Sequence, residues 1–346
     1  KIDMDLVKSQ ETRRMLDRII GFKLSKLLQN KIQSKSAGRV QSVALKLIVD
    51  RENEIKAFKQ EEYWTIHAQC KKQNKAFEAD LVKVEGKKPK IKNEEEAKAL
   101  LERCNGEYIV SSISKKQKKK QPKLPFTTST MQQEASTKLG FGAKKTMSVA
   151  QKMYEGIDLG GNMEGLITYM RSDSTRLSDT YGKEYVGHVH QKNGKNTQDA
   201  HEAIRPTNIN RTPESIKDHL TNDQYRLYSL IYARTLASLM KDAVYDVTSV
   251  KITNNDLEFS ASGQTMTFDG YYKVYSKYEK QSDALLPKLE ENEVLKNVTP
   301  TSKQHFTEPP ARYTEARLIK DLEEKSIGRP STYATIIDTL QKRGYA

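Results

Sequence analysis

The sequence predicts an α+β, multidomain chain in which a helical block is inserted into a β domain. Three observations carry this. At 346 residues the chain is long enough for two or three domains with cores of their own. Its texture changes four times, in the order helix, strand, helix, strand, helix. No short period recurs that would indicate a repeat architecture. Two β blocks flanking the central helical block are most simply one β domain interrupted by an insertion, and the terminal helical blocks can pack together in the same way.

The elements follow in order. Residues 12–28 carry Met15, Leu16, Ile19 and Ile20 at helical spacing, and residues 40–58 place Val43, Leu47 and Ile55 on or near one helix face. From residue 63 the pattern alternates as strands do (YWTIHAQC, AFEADLVKV, EYIVSSI), interrupted by the helix-like NEEEAKALLERC. KKQKKKQPKLP, residues 115–125, reads as a solvated basic tether. Helical segments return with MQQEASTKLG, KKTMSVAQKMYEG and NDQYRLYSLIYARTLASLMKD. Strands follow in AVYDVTSVKIT, DLEFSASGQTMTF and YYKVYSKY, and the last forty residues are helix split by SIGRP. The expected divisions are 1–62, 63–125, 126–242, 243–305 and 306–346.

Charge narrows the partners. Lys and Arg number 59 against 45 Asp and Glu, a formal balance of +14, which favours a polyanion: nucleic acid first, an acidic membrane surface second. No uninterrupted apolar run is long enough to span a bilayer; the best, residues 227–240, is broken by Arg234. Cys70 and Cys104 are too few and too far apart for a metal knuckle or a disulfide framework and read as reduced thiols.

EGLITYMRSDSTRLS, residues 164–178, is the segment that carries chemistry. If LITYMR is extended, Tyr169 and Arg171 share a face. A phenol titrates near 10 and is a poor nucleophile at neutral pH unless its anion is stabilised. A guanidinium on the same face can do that, or can clamp a phosphate bidentately beside the hydroxyl. Ser172, Asp173 and Ser174 offer N-cap residues for a helix whose first amides also favour anions. Spacing alone leaves an ordinary core tyrosine as the alternative.

Other stretches decide between them. SAGRVQSVAL (36–45), HEAIRP (201–206), FTEPPARYTEARLIKDLE (306–323) and IGRPSTYATII (327–337) occur in the order in which bacterial type IA DNA topoisomerases carry them. ETRRMLDRIIGFKLS, TTSTMQQEASTKLGF and FDGYYKVY extend the resemblance from end to end, and TYMRSDST resembles that family's nucleophile segment. Met170 stands where the topoisomerase III branch usually has proline, so the likeness is to the topoisomerase I branch.

The resemblance implies a multidomain arch around a central hole. It implies cleavage of one DNA strand through a 5′-phosphotyrosine, strand passage and ATP-independent resealing, which together relax negative supercoils. Tyr169 matches the nucleophile, Arg171 the arginine that positions the scissile phosphate, and His201 the active-site histidine; Glu202 reads as structural. Arg13, Arg14 and Asp17 match residues lining the path of the cleaved strand, although Arg13 and Asp17 at i, i+4 also suit a plain ion pair. Ser36, Ala37, Gly38, Arg39, Val40 and Gln41 match a DNA-contacting segment, with Ala37-Gly38 letting backbone approach a phosphate. Phe22, Gln29 and Arg329 complete the DNA-contacting set. Single-stranded and negatively supercoiled DNA are the implied partners of a monomeric enzyme of the bacterial cytoplasm and nucleoid.

The chain also departs from the family pattern. The toprim domain, with its catalytic glutamate and acidic Mg²⁺ cluster, has no match, so Mg²⁺ is expected in the complete enzyme and no cofactor in this chain. Asp3-Met4-Asp5 resembles an Asp-x-Asp metal motif only superficially. The chain is expected to be a fragment starting just past toprim, to stop at QKRGYA short of the family's usual end, and to be shortened between residues 178 and 201. Two rivals fit less well. A tyrosine recombinase or type IB enzyme needs several activating Arg or His residues upstream of a C-terminal tyrosine. A non-catalytic DNA-binding module does not describe the complete enzyme, but it stays the alternative for this fragment alone.

Overall fold

The computed structural model describes residues 2–33, 36–177, 201–281 and 283–345. Contacts divide the chain into two compact units, one of residues 1–57, 124–236 and 310–346, the other of residues 58–123 and 237–309. The five blocks of alternating texture thus fall into a helical unit and a β unit.

In the helical unit, α1 (Met4–Arg18), a π-helical stretch (Ile19–Leu24) and α2 (Ser25–Ile32) follow without a break. The apolar residues expected to mark a core face there are exposed: Met15 is 63%, Leu16 43% and Ile19 52% accessible. Their 3.6-residue spacing makes the helix, but among the described residues nothing packs on that stripe. The Asp3 carboxylate caps α1, accepting from the amides of Asp5 and Leu6 at 3.0 and 3.2 Å.

Next come α3 (Arg39–Ala57), α5 (Thr128–Glu134), which runs into a second π-helical turn (Ala135–Leu139), α6 (Ala143–Glu155) and α7 (Asn222–Leu239), then α8 (Glu315–Glu324) and α9 (Tyr333–Lys342); α4 (Glu94–Arg103) belongs to the other unit. Ala44 of α3 and Ala143 of α6 meet Leu318, Ile319 and Leu322 of α8 and Ile336, Ile337 and Leu340 of α9 in one apolar cluster. Arg312 grips Glu52 of α3 through both its Nε and Nη2, at 2.8 and 3.1 Å, tying the approach to α8 onto α3. The arginine that interrupts the apolar run is buried in α7: Arg234 pairs with Glu134 at 2.8 Å, donates to the Leu124 carbonyl at 2.6 Å and lies over the Phe126 ring. A buried charge is tolerable only when paired in this way.

The β unit is a seven-stranded antiparallel sheet with α4 (Glu94–Arg103) against β1 (Glu62–Lys72) and β9 (Val298–Phe306). With β2 (Lys75–Val84), β3 (Tyr108–Lys120), β6 (Ala243–Asn254), β7 (Leu257–Phe268) and β8 (Val294–Leu295), the order is β8-β3-β6-β7-β2-β1-β9; β4 (Ile157–Asp158) and β5 (Met163–Glu164) form a separate small hairpin in the helical unit. Alternate residues Ile66, Ala68 and Cys70 of β1 turn inward to join Phe77, Val110, Ile252 and Phe259. Both cysteines are free and buried, and burial pushes the Cys70 thiol up to about 12. No described helix is long and apolar enough to cross a membrane.

Two expectations fail in the β unit. The supposed tether is largely strand: Lys115 to Lys120 pair with Thr248 to Ala243 of β6 in unbroken register. Composition suggested solvent, but β6 satisfies the backbone, and lysines suit an edge. YYKVYSKY is not a strand but a helical turn (Tyr272–Tyr275), with Tyr271, Tyr275 and Tyr278 buried. Their i, i+4, i+7 spacing is helical, and β-propensity loses to it.

Candidate active site

Residues 166–171 are irregular backbone with bends at Thr168, Met170 and Arg171 rather than the extended strand expected, held by an isolated bridge between Ile167 and Pro206. Leu166, Ile167 and Met170 are buried and anchor the segment. Tyr169 between them is half-buried, and Arg171 is exposed. The core-tyrosine alternative therefore does not describe Tyr169: the core is filled by its neighbours.

Side-chain hydroxyls stitch this segment to HEAIRP. Thr168 donates to the Ala203 carbonyl at 2.7 Å and accepts from the Arg205 amide at 3.0 Å. Ser172 donates to the Glu202 carbonyl at 2.7 Å. From α5, the Thr128 hydroxyl lies 2.7 Å from the Met170 carbonyl and accepts from the Ser172 amide at 2.9 Å, so it brackets the backbone of Arg171. Gly165 is needed for the approach, since a Cβ there would meet the Tyr154 carbonyl oxygen at 2.8 Å.

That approach sets Tyr154 edge-on to Tyr169, with ring centroids 5.3 Å apart, and His201 tilts against Tyr169 at 4.8 Å. Among the described residues the Tyr169 hydroxyl makes no hydrogen bond and Arg171 has no carboxylate partner. Glu202 holds Arg205 with both carboxylate oxygens at 2.9 Å, in keeping with a structural part. The anticipated helix start is absent from residues 172–177: the Ser172 and Ser174 hydroxyls accept from the amides of Ser174 and Arg176 in successive turns. The stretch expected to be shortened, residues 178–200, lies outside the described residues.

The expected DNA-contacting residues separate into groups. Asp17, Gly38, Arg39, Val40 and Gln41 line one cleft together with Thr332 and Thr339. Asp17 pairs not with Arg13 but with Arg39, Nε to Oδ1 at 2.6 Å and Nη2 to Oδ2 at 3.1 Å. Gly38 does not present open backbone, because the Gln41 side chain already fills the space a Cβ would take, at 3.0 Å. Ala37 is fixed by buried Ser25, whose hydroxyl accepts from its amide at 2.9 Å. Arg343 donates to both Ser36 and Gln41. Arg13, Arg14, Phe22 and Gln29 are all exposed along the continuous N-terminal helical stretch, with Phe22 74% accessible.

Arg329 is exposed in the turn before α9, where Gly328 adopts φ +82 and Thr332 closes on the Arg329 amide at 2.9 Å. Burial pushes the Tyr333 phenol up to about 12; Glu323 and Asp173 add to the rise, and Arg329 opposes it. Ser25, Thr128, Thr168 and Arg343 were not singled out from the sequence, and only their long-range partners give them a role.

Among the described residues the one convergent set of His and carboxylate donors, His67, Glu78 and Asp80, is in the β unit. Glu323, a half-buried carboxylate, accepts from the Ser129 hydroxyl at 2.7 Å.

The profile of the DNA topoisomerase family matches residues 1–346. The structure is similar to that of full-length topoisomerase I from Thermotoga maritima, with 39% identity and a TM-score of 0.82; the match covers all of this chain and 58% of that one. By sequence and by fold, the chain belongs to the bacterial type IA DNA topoisomerase family.

Proposed function

We propose that this chain is the strand-cleaving core of an ATP-independent DNA topoisomerase, with Tyr169 as its nucleophile. One observation carries the reading. Tyr169 is held by buried neighbours on both sides, between Tyr154 and His201; among the described residues its hydroxyl makes no hydrogen bond, and Arg171, two residues on, has no carboxylate partner.

In the proposed step the Tyr169 oxygen loses its proton to solvent and attacks the phosphorus of a single-strand phosphodiester. The bond to the 3′ oxygen breaks, the 5′ phosphate stays on the tyrosine as an ester, and the departing 3′ oxygen takes a proton from an acid. Reversal reseals the strand, since the ester stores the energy of the broken bond. Arg171 orients the phosphate and spreads the charge that grows on its oxygens. His201, ring against ring with Tyr169, orients the phenol. Strand passage between cleavage and resealing would relax negative supercoils. The acid for the 3′ oxygen is what the toprim glutamate supplies in the family, and no residue of 1–346 matches it. Alone, this chain should therefore bind DNA and cleave it slowly.

The experiment is relaxation of a negatively supercoiled plasmid by the full-length protein and by its Tyr169→Phe variant. Relaxation by the wild type and none by the variant is expected. Undiminished relaxation by Tyr169→Phe contradicts the assignment.

A further inference from the structure

The structure assigns a second nucleic-acid contact to the β unit: the lysine-bearing edge of β3, a ribbon for the phosphate backbone of duplex DNA. It is separate from the residues around Tyr169 and from the cleft of Asp17 and Arg39. It rests on the DNA-handling function proposed above for its choice of polyanion, not on the role of Tyr169.

Three observations point there. First, β3 runs for 13 residues, but β8 covers its outer edge only at Tyr108 and Ile109. The Ile113 amide is met by the Glu291 carboxylate at 2.9 Å, and beyond it, among the described residues, that edge has no partner strand. Second, every residue from Ser114 to Lys120 is exposed. Third, the charges are uncompensated. Lys120 pairs with Glu279, and Gln117 donates to Asp246. Lys115, Lys116, Lys118 and Lys119 have no carboxylate partner among the described residues, although the molecule pairs many of its exposed lysines.

The geometry suits a linear polyanion. Pairing to β6 holds the ribbon straight, with Lys116 and Lys118 on one face and Lys115 and Lys119 on the other. Same-face side chains recur about every 6.8 Å along an antiparallel strand, twice the ~3.4 Å axial spacing of phosphates on one strand of B-DNA. At an edge, long flexible ammonium arms from both faces reach one rod lying alongside. Nothing in KKQKKKQ could enter a bilayer, and membrane-surface binding needs an apolar face beside the charge. Lysines also keep sheet edges from pairing with other chains, which is the bland account of the same residues.

The test uses the full-length protein with all four lysines changed, once to Gln and once to Arg, on folds checked by circular dichroism. Binding to a 20-base-pair duplex is measured by anisotropy across a salt series, with a 20-nucleotide single strand and anionic vesicles in parallel. Each duplex phosphate contact adds about 0.9 to the slope of log affinity against log salt, and each single-strand contact about 0.7. The Gln variant should bind the duplex at least tenfold more weakly at low salt, with the slope reduced by about 2–4. The Arg variant should match wild type. Adduct formation at Tyr169 on a short oligonucleotide should be the same in all three proteins, which separates failure here from failure of the tyrosine assignment. An unchanged duplex slope overturns the inference. So does a Gln variant that self-associates while binding DNA normally, which would leave edge protection as the role, or a loss confined to vesicles.

Discussion

The rings of Tyr169 and His201 lie with centroids 4.8 Å apart at 49°, although 32 positions separate them in sequence. The contact exists because Thr168 and Ser172 bind the backbone of Ala203 and Glu202 on either side of it. Two short motifs with no strong secondary structure are thereby made into one rigid surface, and the expected effect of a substitution depends on which part of that surface it touches.

Arg171 is exposed and without a carboxylate partner among the described residues, so its removal should leave the fold alone. In the full-length protein Arg171→Ala should slow single-turnover cleavage by about 10²–10³-fold, as losing one preorganised charge contact does, with much less effect on binding. Arg171→Lys should recover only part of the rate, lacking the planar fork. Wild-type cleavage by the Ala variant would reduce Arg171 to a surface residue.

Glu202 should behave oppositely. Arg205 is 8% accessible, with its Nε and Nη2 on Glu202 and its Nη1 on the Pro206 carbonyl. Removing Glu202 takes the ion pair away from a buried guanidinium. Such losses cost about 3–5 kcal/mol for fully buried pairs, and partial exposure of Glu202 puts this one near the lower end. Glu202→Ala should lower the denaturation midpoint, and chemical unfolding measures it. An unchanged midpoint would show that the pair is not needed to hold HEAIRP.

Glu323 gives a pH dependence. Burial chiefly, then Glu324 and Asp173, raise its carboxyl above the ordinary 4.5, while the Ser129 hydroxyl acts the other way. The folded protein therefore holds this proton to higher pH than the unfolded chain. Its contribution to stability is full below about 4.5 and is lost as pH rises through the folded value. Glu323→Gln, which keeps an acceptor for Ser129, should raise Tm at pH 8 and leave it unchanged at pH 4. A variant less stable than wild type at pH 8 would reverse the sign.

Much of this was legible in the sequence, and the failures have physical causes. The order of helical and strand blocks is read from periodicity, which burial enforces: Ile66, Ala68 and Cys70 alternate because one face of β1 is core. The lysine run misled because composition says nothing about a partner strand, and β6 is more than a hundred residues away. The tyrosines of YYKVYSKY misled because residue type was weighed above spacing. At the site, Tyr169, Arg171 and His201 were found through family resemblance, since spacing alone left Tyr169 undecided. Thr128, Thr168, Ser25 and Arg343 gave no signal, because a hydroxyl or guanidinium that braces distant backbone resembles any other until the fold brings the partner to it. Arg13 with Asp17 was a local pairing the sequence could offer, and Arg39 from α3 took the acid instead.

The claim that Tyr169 is the nucleophile is tested most directly by identifying the covalent adduct. The full-length protein is incubated with single-stranded oligonucleotides labelled on one side or the other of the cleavage point, denatured, digested and sequenced by mass spectrometry. The account predicts that the fragment carrying the 5′ phosphate stays attached, through the oxygen of Tyr169, and that Tyr169→Phe yields no adduct while binding the same oligonucleotide within about twofold of wild type, because only a hydroxyl is lost. A 3′-linked adduct, or one mapping to another residue, would contradict it.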